Sequence, residues 1–159
     1  VVMTIAAIMG ITPTAVADTP EFALGQLGAV IDSTNGTKLY KYLQYDTGSV
    51  GTAAVAGEVA YYYTLDGYKN FKVTSDLSDS VEVGAGVIQA VMTDGQYGWF
   101  QVTGAATLTI ALTAGADGDP LTPTGSADGT LDVSADVTDN VCAIAGDISD
   151  KEIICMFPL

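Results

Sequence analysis

Apolar side chains recur at alternate positions in short runs along this chain, and the runs are broken by Gly, Asn and Asp, the pattern of strands joined by turns. Residues 107–113 alternate almost without interruption, so Leu108, Ile110 and Leu112 are expected to face a core with the threonines outward. Residues 86–104 read as two short strands around an Asp94-Gly95 turn, with Trp99 in the core and Gly98 and Gly104 leaving room for neighbouring backbone. Residues 29–32 and 38–45 flank Asn35-Gly36, whose tolerance of positive φ predicts a first hairpin. On its second strand Lys38, Tyr40 and Tyr42 share a face, expected to be half-buried. Residues 58–63 predict a further strand, and an Asp66-Gly67 turn leads to another over 70–74.

Between these runs, residues 47–57 read as a small-residue loop or irregular strand, 75–80 as a polar acidic loop and 114–129 as a long exposed loop. Residues 130–134, 141–145 and 152–157 supply the closing strands, the last two as a hairpin turning near Asp147 to Asp150. The pattern holds no amphipathic helix longer than two turns. The expected fold is all-β: a single compact antiparallel β-sandwich or β-barrel domain over 21–159, preceded by an extended N-terminal arm over 1–20.

That arm begins with VVMTIAAIMGITPTAV, uncharged and apolar, and turns polar at Asp18-Thr19-Pro20. Small residues at Ala15 and Ala17 suit a secretory signal, but the basic leading region is missing. A membrane span needs about 20 apolar residues, and Pro13 interrupts this shorter run. An apolar arm must bury itself on its own domain or on a neighbouring subunit. Val2, Ile5 and Ile8 are therefore candidate partner contacts. So are Tyr61, Tyr62 and Tyr63, which put aromatics on both faces of one strand, one face free to meet a partner.

Charge narrows the function classes. Nineteen acidic residues stand against five lysines, a formal charge of -14, with neither arginine nor histidine. A chain this acidic is repelled by nucleic-acid phosphates. Without histidine there is no Ser-His-Asp or Cys-His arrangement and no imidazole ligand for zinc. Carboxylate pairs remain, but most aspartates lie in Gly-rich turns where a raised pKa is not expected. Asp117, Asp119 and Asp128 invite a calcium reading, yet the spacing does not match the alternating ligand loop, and solvated loop charge explains them better. Cys142 and Cys155 flank the last hairpin; two small buried thiols are favoured over a disulfide. No catalytic residue, metal set or cofactor is read from the sequence.

The 86–104 hairpin, the AGADGDPLTPTG loop at 114–125 and the ending DKEIICMFPL at 150–159 resemble head decoration (capsid cement) proteins of tailed bacteriophages, over roughly residues 20–159. The resemblance implies a small β protein, commonly a homotrimer, on the outer capsid surface of a virion assembled in the host cytoplasm. There it would bind the major capsid protein and reinforce contacts between its subunits, without enzymatic activity, nucleic acid or membrane. The alternative is a phage tail component, a cell-surface adhesin or a surface-layer module.

Overall fold

A computed structural model describes residues 8–49, 51, 53–64 and 67–159. Val2 and Ile5, two of the candidate contacts, and Asp66 of the expected turn lie outside the described residues. The fold is all-β. In chain order the strands are β1 (Ile8–Met9), β2 (Val16–Ala17), β3 (Leu27–Asp32), β4 (Gly36–Tyr45) and β5 (Val59–Tyr63). A one-turn helix, α1 (Gly67–Asn70), precedes β6 (Lys72–Thr74), and a 3-10 turn at Leu77–Asp79 leads into β7 (Ser80–Ile88). Then come β8 (Tyr97–Gln101), β9 (Thr103–Thr107), β10 (Pro120–Thr122), β11 (Asp132–Val133), β12 (Ala143–Asp147) and β13 (Glu152–Met156). Among the described residues no helix is long and apolar enough to cross a membrane.

The first hairpin forms where the Asn35-Gly36 signal places it. Asp32 pairs with Gly36, whose φ is +80°, and the Asp32 carboxylate accepts from the backbone N–H groups of Thr34 and Asn35 at 2.8 and 3.0 Å. From this hairpin β4 continues past the end of β3. It pairs with β3 and then, in parallel, with β6 along one edge, and antiparallel with β8 along the other. Because β6 pairs with β5, β5 with β7 and β7 with β8, the five strands β4, β6, β5, β7 and β8 close into a ring. The period of two then sends Leu43, Tyr45, Ala60, Tyr62, Val73 and Phe100 into one buried cluster inside it. Lys41 shares that face and is 5% exposed; its ammonium donates to the Tyr62 hydroxyl at 2.9 Å and lies 5.3 Å from the Phe71 ring centre. Burial pulls its pKa down from the ordinary lysine value.

A second sheet, in the order β11-β10-β12-β13-β9, covers the outer side of β5 and β7. Val59, Tyr61 and Val87 of the barrel meet Leu121, Ala143, Ile153 and Phe157 there. The contact is close: a Cβ at Gly84 would stand 2.8 Å from the Cys142 sulfur and from the Phe157 ring. The chain passes from barrel to second sheet between β8 and β9 through buried Val102, whose N–H donates to Leu39 O at 2.9 Å. Cys142 and Cys155 are both buried free thiols, as expected; burial pushes Cys155 up to about 12 and Cys142 in the same direction.

The N-terminal segment forms a third layer. β1 pairs in parallel with β3, and β2 pairs with β8 on the stretch that β7 leaves open. Between them Ile11, Phe22 and Leu24 cover Tyr40, Tyr42 and Trp99 on the outer side of β4 and β8. The Phe22 ring lies 5.2 Å from Tyr42 and 5.0 Å from Trp99. Trp99 is thus core, as the alternation predicts, and the Tyr40–Tyr42 stripe is fully rather than half covered. From residue 8 onward the arm lies on its own domain.

Three segments depart from the pattern. Residues 107–113 keep their alternation, with Leu108 buried, but form no ladder beyond Thr107. Their backbone partners change with almost every residue: Leu108 N–H donates to Lys151 O, Thr109 to Gly57 O and Thr113 to Leu131 O. The 114–129 loop is interrupted at its midpoint, where β10 enters the sheet and buries Leu121 and Thr122, before it is exposed again at Gly125, Ala127 and Asp128. The 75–80 loop is a 3-10 turn with buried Ser75 and Asp76, and β7 begins at Ser80, six residues before the glycine that marks it in the sequence.

Replacing Phe22 by Ala removes the aromatic that joins the arm to the barrel, and urea unfolding should show a loss of about 2 kcal/mol. The Asp32 carboxylate is held at about 2 by the Thr34 and Asn35 N–H groups, and hydrogen bonds from Ser49, Asp136 and Ser149 lower Asp79, Asp139 and Asp147. Such groups stabilise the fold above their ordinary pKa and lose that contribution as pH falls through the folded value. The urea midpoint should therefore fall between about pH 4 and about pH 2, less steeply in Asp32→Asn.

Candidate functional site

β13 carries the chain's most telling conflict between composition and burial. Ile153, Ile154, Cys155, Met156 and Phe157 form an unbroken apolar run, the composition of a strand covered on both sides. Only one side is covered. Ile153, Cys155 and Phe157 pack toward the barrel, whereas Ile154 and Met156 point outward at 42% and 48% exposure.

The pairing register extends this outward row across the sheet. Ile154 stands opposite Ile144 of β12 on one side and Ala105 of β9 on the other, and Ile144 in turn faces Pro120 of β10. Met156 faces Thr103 in the next row, and Glu152 faces Thr107 at the opposite margin. The result is an apolar band four strands wide. An exposed apolar face on a rigid sheet, bordered by polar residues, is the usual form of a protein-binding surface.

Beside the band, between β9 and the barrel, runs a polar groove of about 390 Å³. Lys38, Gln89, Gln101, Thr107, Thr109 and Glu152 contribute to its wall. The Gln101 amide donates to Thr103 O at 3.1 Å and Ala105 O at 2.9 Å, and Lys38 lies 3.4 Å from Asp32. Glu152 is the one carboxylate among the described lining residues, so the wall holds no acid pair for general acid-base chemistry. The groove offers hydrogen bonds of both senses to a polar group.

The sequence-derived contacts are placed differently. Ile8 sits on edge strand β1 at 39% exposure and remains accessible. Tyr61 and Tyr62 do not: β5 is paired on both edges, with the barrel interior on one face and the second sheet on the other, so both side chains are buried. The Tyr61 hydroxyl accepts from Thr130 N–H at 2.9 Å and donates to Thr130 O at 2.5 Å, with Ala127 O further off at 3.2 Å, and burial pushes its pKa well above the usual tyrosine value. Tyr62 holds Lys41 inside the barrel. Only Tyr63 of the three is partly exposed, with Lys72 5.9 Å from its ring centre and 3.3 Å from Asp46. The aromatic run is a core signature, whereas on the apolar run of β13 two side chains, Ile154 and Met156, are exposed. Its signal was already in the sequence as five consecutive apolar residues beside a solvent-exposed turn.

Asp117, Asp119 and Asp128 each fasten backbone, accepting from the N–H groups of Ile148, Ala116 and Leu77 at 2.9, 2.8 and 2.8 Å. Tyr61→Phe leaves the buried Thr130 N–H without its acceptor and should lower stability by about 1–3 kcal/mol in urea unfolding. Compared with protein-family models, curated proteins and solved structures, the chain matches none.

Proposed function

We propose that this chain is a structural virion protein: a head decoration, or cement, protein that binds the outer surface of an icosahedral phage shell and stabilises contacts between major capsid protein subunits. The observation that carries the reading is the outward apolar row of β13, which has the composition of a covered face. The resemblance of the 86–104 hairpin, the 114–125 loop and the 150–159 ending to cement proteins supports it. A cement protein acts by buried area, adding binding free energy across subunit joints that internal pressure strains. As a homotrimer it engages several sites together, so each contact can be modest while the assembly holds firmly. The charge of -14 keeps unassembled copies apart in solution, which an exposed apolar band makes necessary.

The polar groove beside β9 favours a second reading, a tail or cell-surface adhesin module that takes a polar ligand there. Quantitative mass spectrometry of purified particles separates the two. A copy number approaching that of the major shell protein is expected for cement, whereas a trace ratio would favour the tail and absence would overturn the virion reading. Ile154→Glu with Met156→Glu should leave the circular dichroism and melting of the free protein nearly unchanged while reducing particle occupancy at least ten-fold, a factor of about 1.4 kcal/mol in binding.

A further inference from the structure

The hydrogen-bonding groups of the polar groove between β9 and the barrel are unevenly used. Gln101 closes β8 and is only 3% exposed, and its amide nitrogen is fixed twice on β9, donating to Thr103 O at 3.1 Å and Ala105 O at 2.9 Å. The oxygen of the same amide accepts no hydrogen bond from a described residue, yet it is not sealed inside the fold. The small part of Gln101 that stays accessible therefore includes this oxygen, and the groove is the surface that Gln101 lines. Gln89, just past β7, repeats the arrangement on the facing wall. Its amide nitrogen donates to Val87 O at 2.8 Å, and its oxygen has no partner among the described residues.

Other donors around the groove are drawn elsewhere. At the end beside Gly104, where a Cβ would lie 3.1 Å from Lys38 Cγ, the Lys38 ammonium and the Asn35 amide both turn to Asp32, each at 3.4 Å. The Thr109 hydroxyl donates to Ala56 O, and the neighbouring Lys151 ammonium donates to Thr109 O at 2.9 Å. At the other end Glu152 stands opposite Thr107, and its carboxylate pairs with no described lysine. The groove thus presents two amide oxygens and one uncompensated carboxylate. That set repels an anion, and a neutral hydroxylated ligand would leave Glu152 without a counter-charge. One carboxylate is too few for a hard divalent cation. A group that brings several donors and a single positive charge answers all three acceptors.

We infer that this groove binds a guanidinium group, the arginine side chain of a partner protein, with Glu152 as its counter-ion and the oxygens of Gln101 and Gln89 as further acceptors. Guanidinium is planar, holds five N–H donors in a fixed fork and stays charged, so it can engage a carboxylate through two bonds while donating sideways to amide oxygens. Gln101 is already held by its two bonds to β9, so its oxygen is in place before the ligand arrives and little ordering remains to oppose binding. The sequence contains no arginine, so a second copy of it cannot supply the group. The site is a property of the groove alone and does not rest on the virion reading.

Titration of the ¹⁵N-labelled full chain with N-acetyl-arginine amide, followed by NMR, tests the inference. The side-chain amide signals of Gln101 and Gln89 and the backbone N–H signals of Thr107 and Glu152 should shift together and saturate with a Kd of about 1 mM, the range of a small fragment. N-acetyl-citrulline amide, which has the same shape without the charge, should bind about ten-fold more weakly, and Glu152→Gln should weaken the arginine ligand about five-fold. Should Glu152→Gln fail to fold, Gln89→Met, which removes one acceptor, should weaken it about three-fold. Absent shifts at concentrations well above that Kd, equal binding of the citrulline ligand, or unchanged affinity in either variant would each overturn it. No phage particle enters these readouts, so their outcome is separate from that of the shell reading.

Discussion

The antiparallel pairing of β4 with β8 is the constraint on which the rest of this structure depends. It turns an open mixed sheet into a closed ring, and closure assigns every other residue on these strands to an inside or an outside. A five-strand ring is narrow, so its interior is filled by side chains alone and holds Lys41 only because Tyr62 and Phe71 receive the ammonium. The outside is apolar too and cannot face water. On β5 and β7 the second sheet covers it; on β4 and β8 the N-terminal segment does, through Phe22 against Tyr42 and Trp99. The barrel thus has two coats, and the outer surface of one of them is where apolar composition again exceeds burial.

Local signals in the sequence located the elements whose conformation is decided locally. Asn35-Gly36 set the first hairpin, the Asp147 to Asp150 turn set the last, and the alternation around Trp99 identified a core strand. What escaped was decided by distant partners. Tyr61 to Tyr63 look like an amphipathic surface run, but nothing in five residues reveals that β5 has a barrel on one side and a sheet on the other. Residues 107–113 alternate well enough for a strand, yet lack a continuous neighbour to pair with. The arm's resting place was open because apolar composition states that it must be covered without stating by what. β13 is the reverse case: its composition announces two covered faces, and the fold of one chain supplies one.

That surplus is the physical basis of the functional account. Exposed Ile154 and Met156, beside half-buried Ile144, invite self-association, and a charge of -14 opposes it through long-range repulsion between copies. Such a pairing suits a protein that must stay dispersed until it meets a large, repetitive surface. The groove at Gln101 and Lys38 runs along the margin of this proposed docking face.

The most direct measurement is hydroxyl-radical footprinting of Met156, read by mass spectrometry in the free protein and in purified particles that carry it. Methionine oxidises readily when exposed, and Met92, which is 1% exposed, supplies the protected reference in the same chain. The account predicts that Met156 is oxidised rapidly in the free protein and falls toward the rate of Met92 on the particle. Equal oxidation of Met156 in both states would contradict it, because the apolar face of β13 would then be open to solvent in the assembled virion.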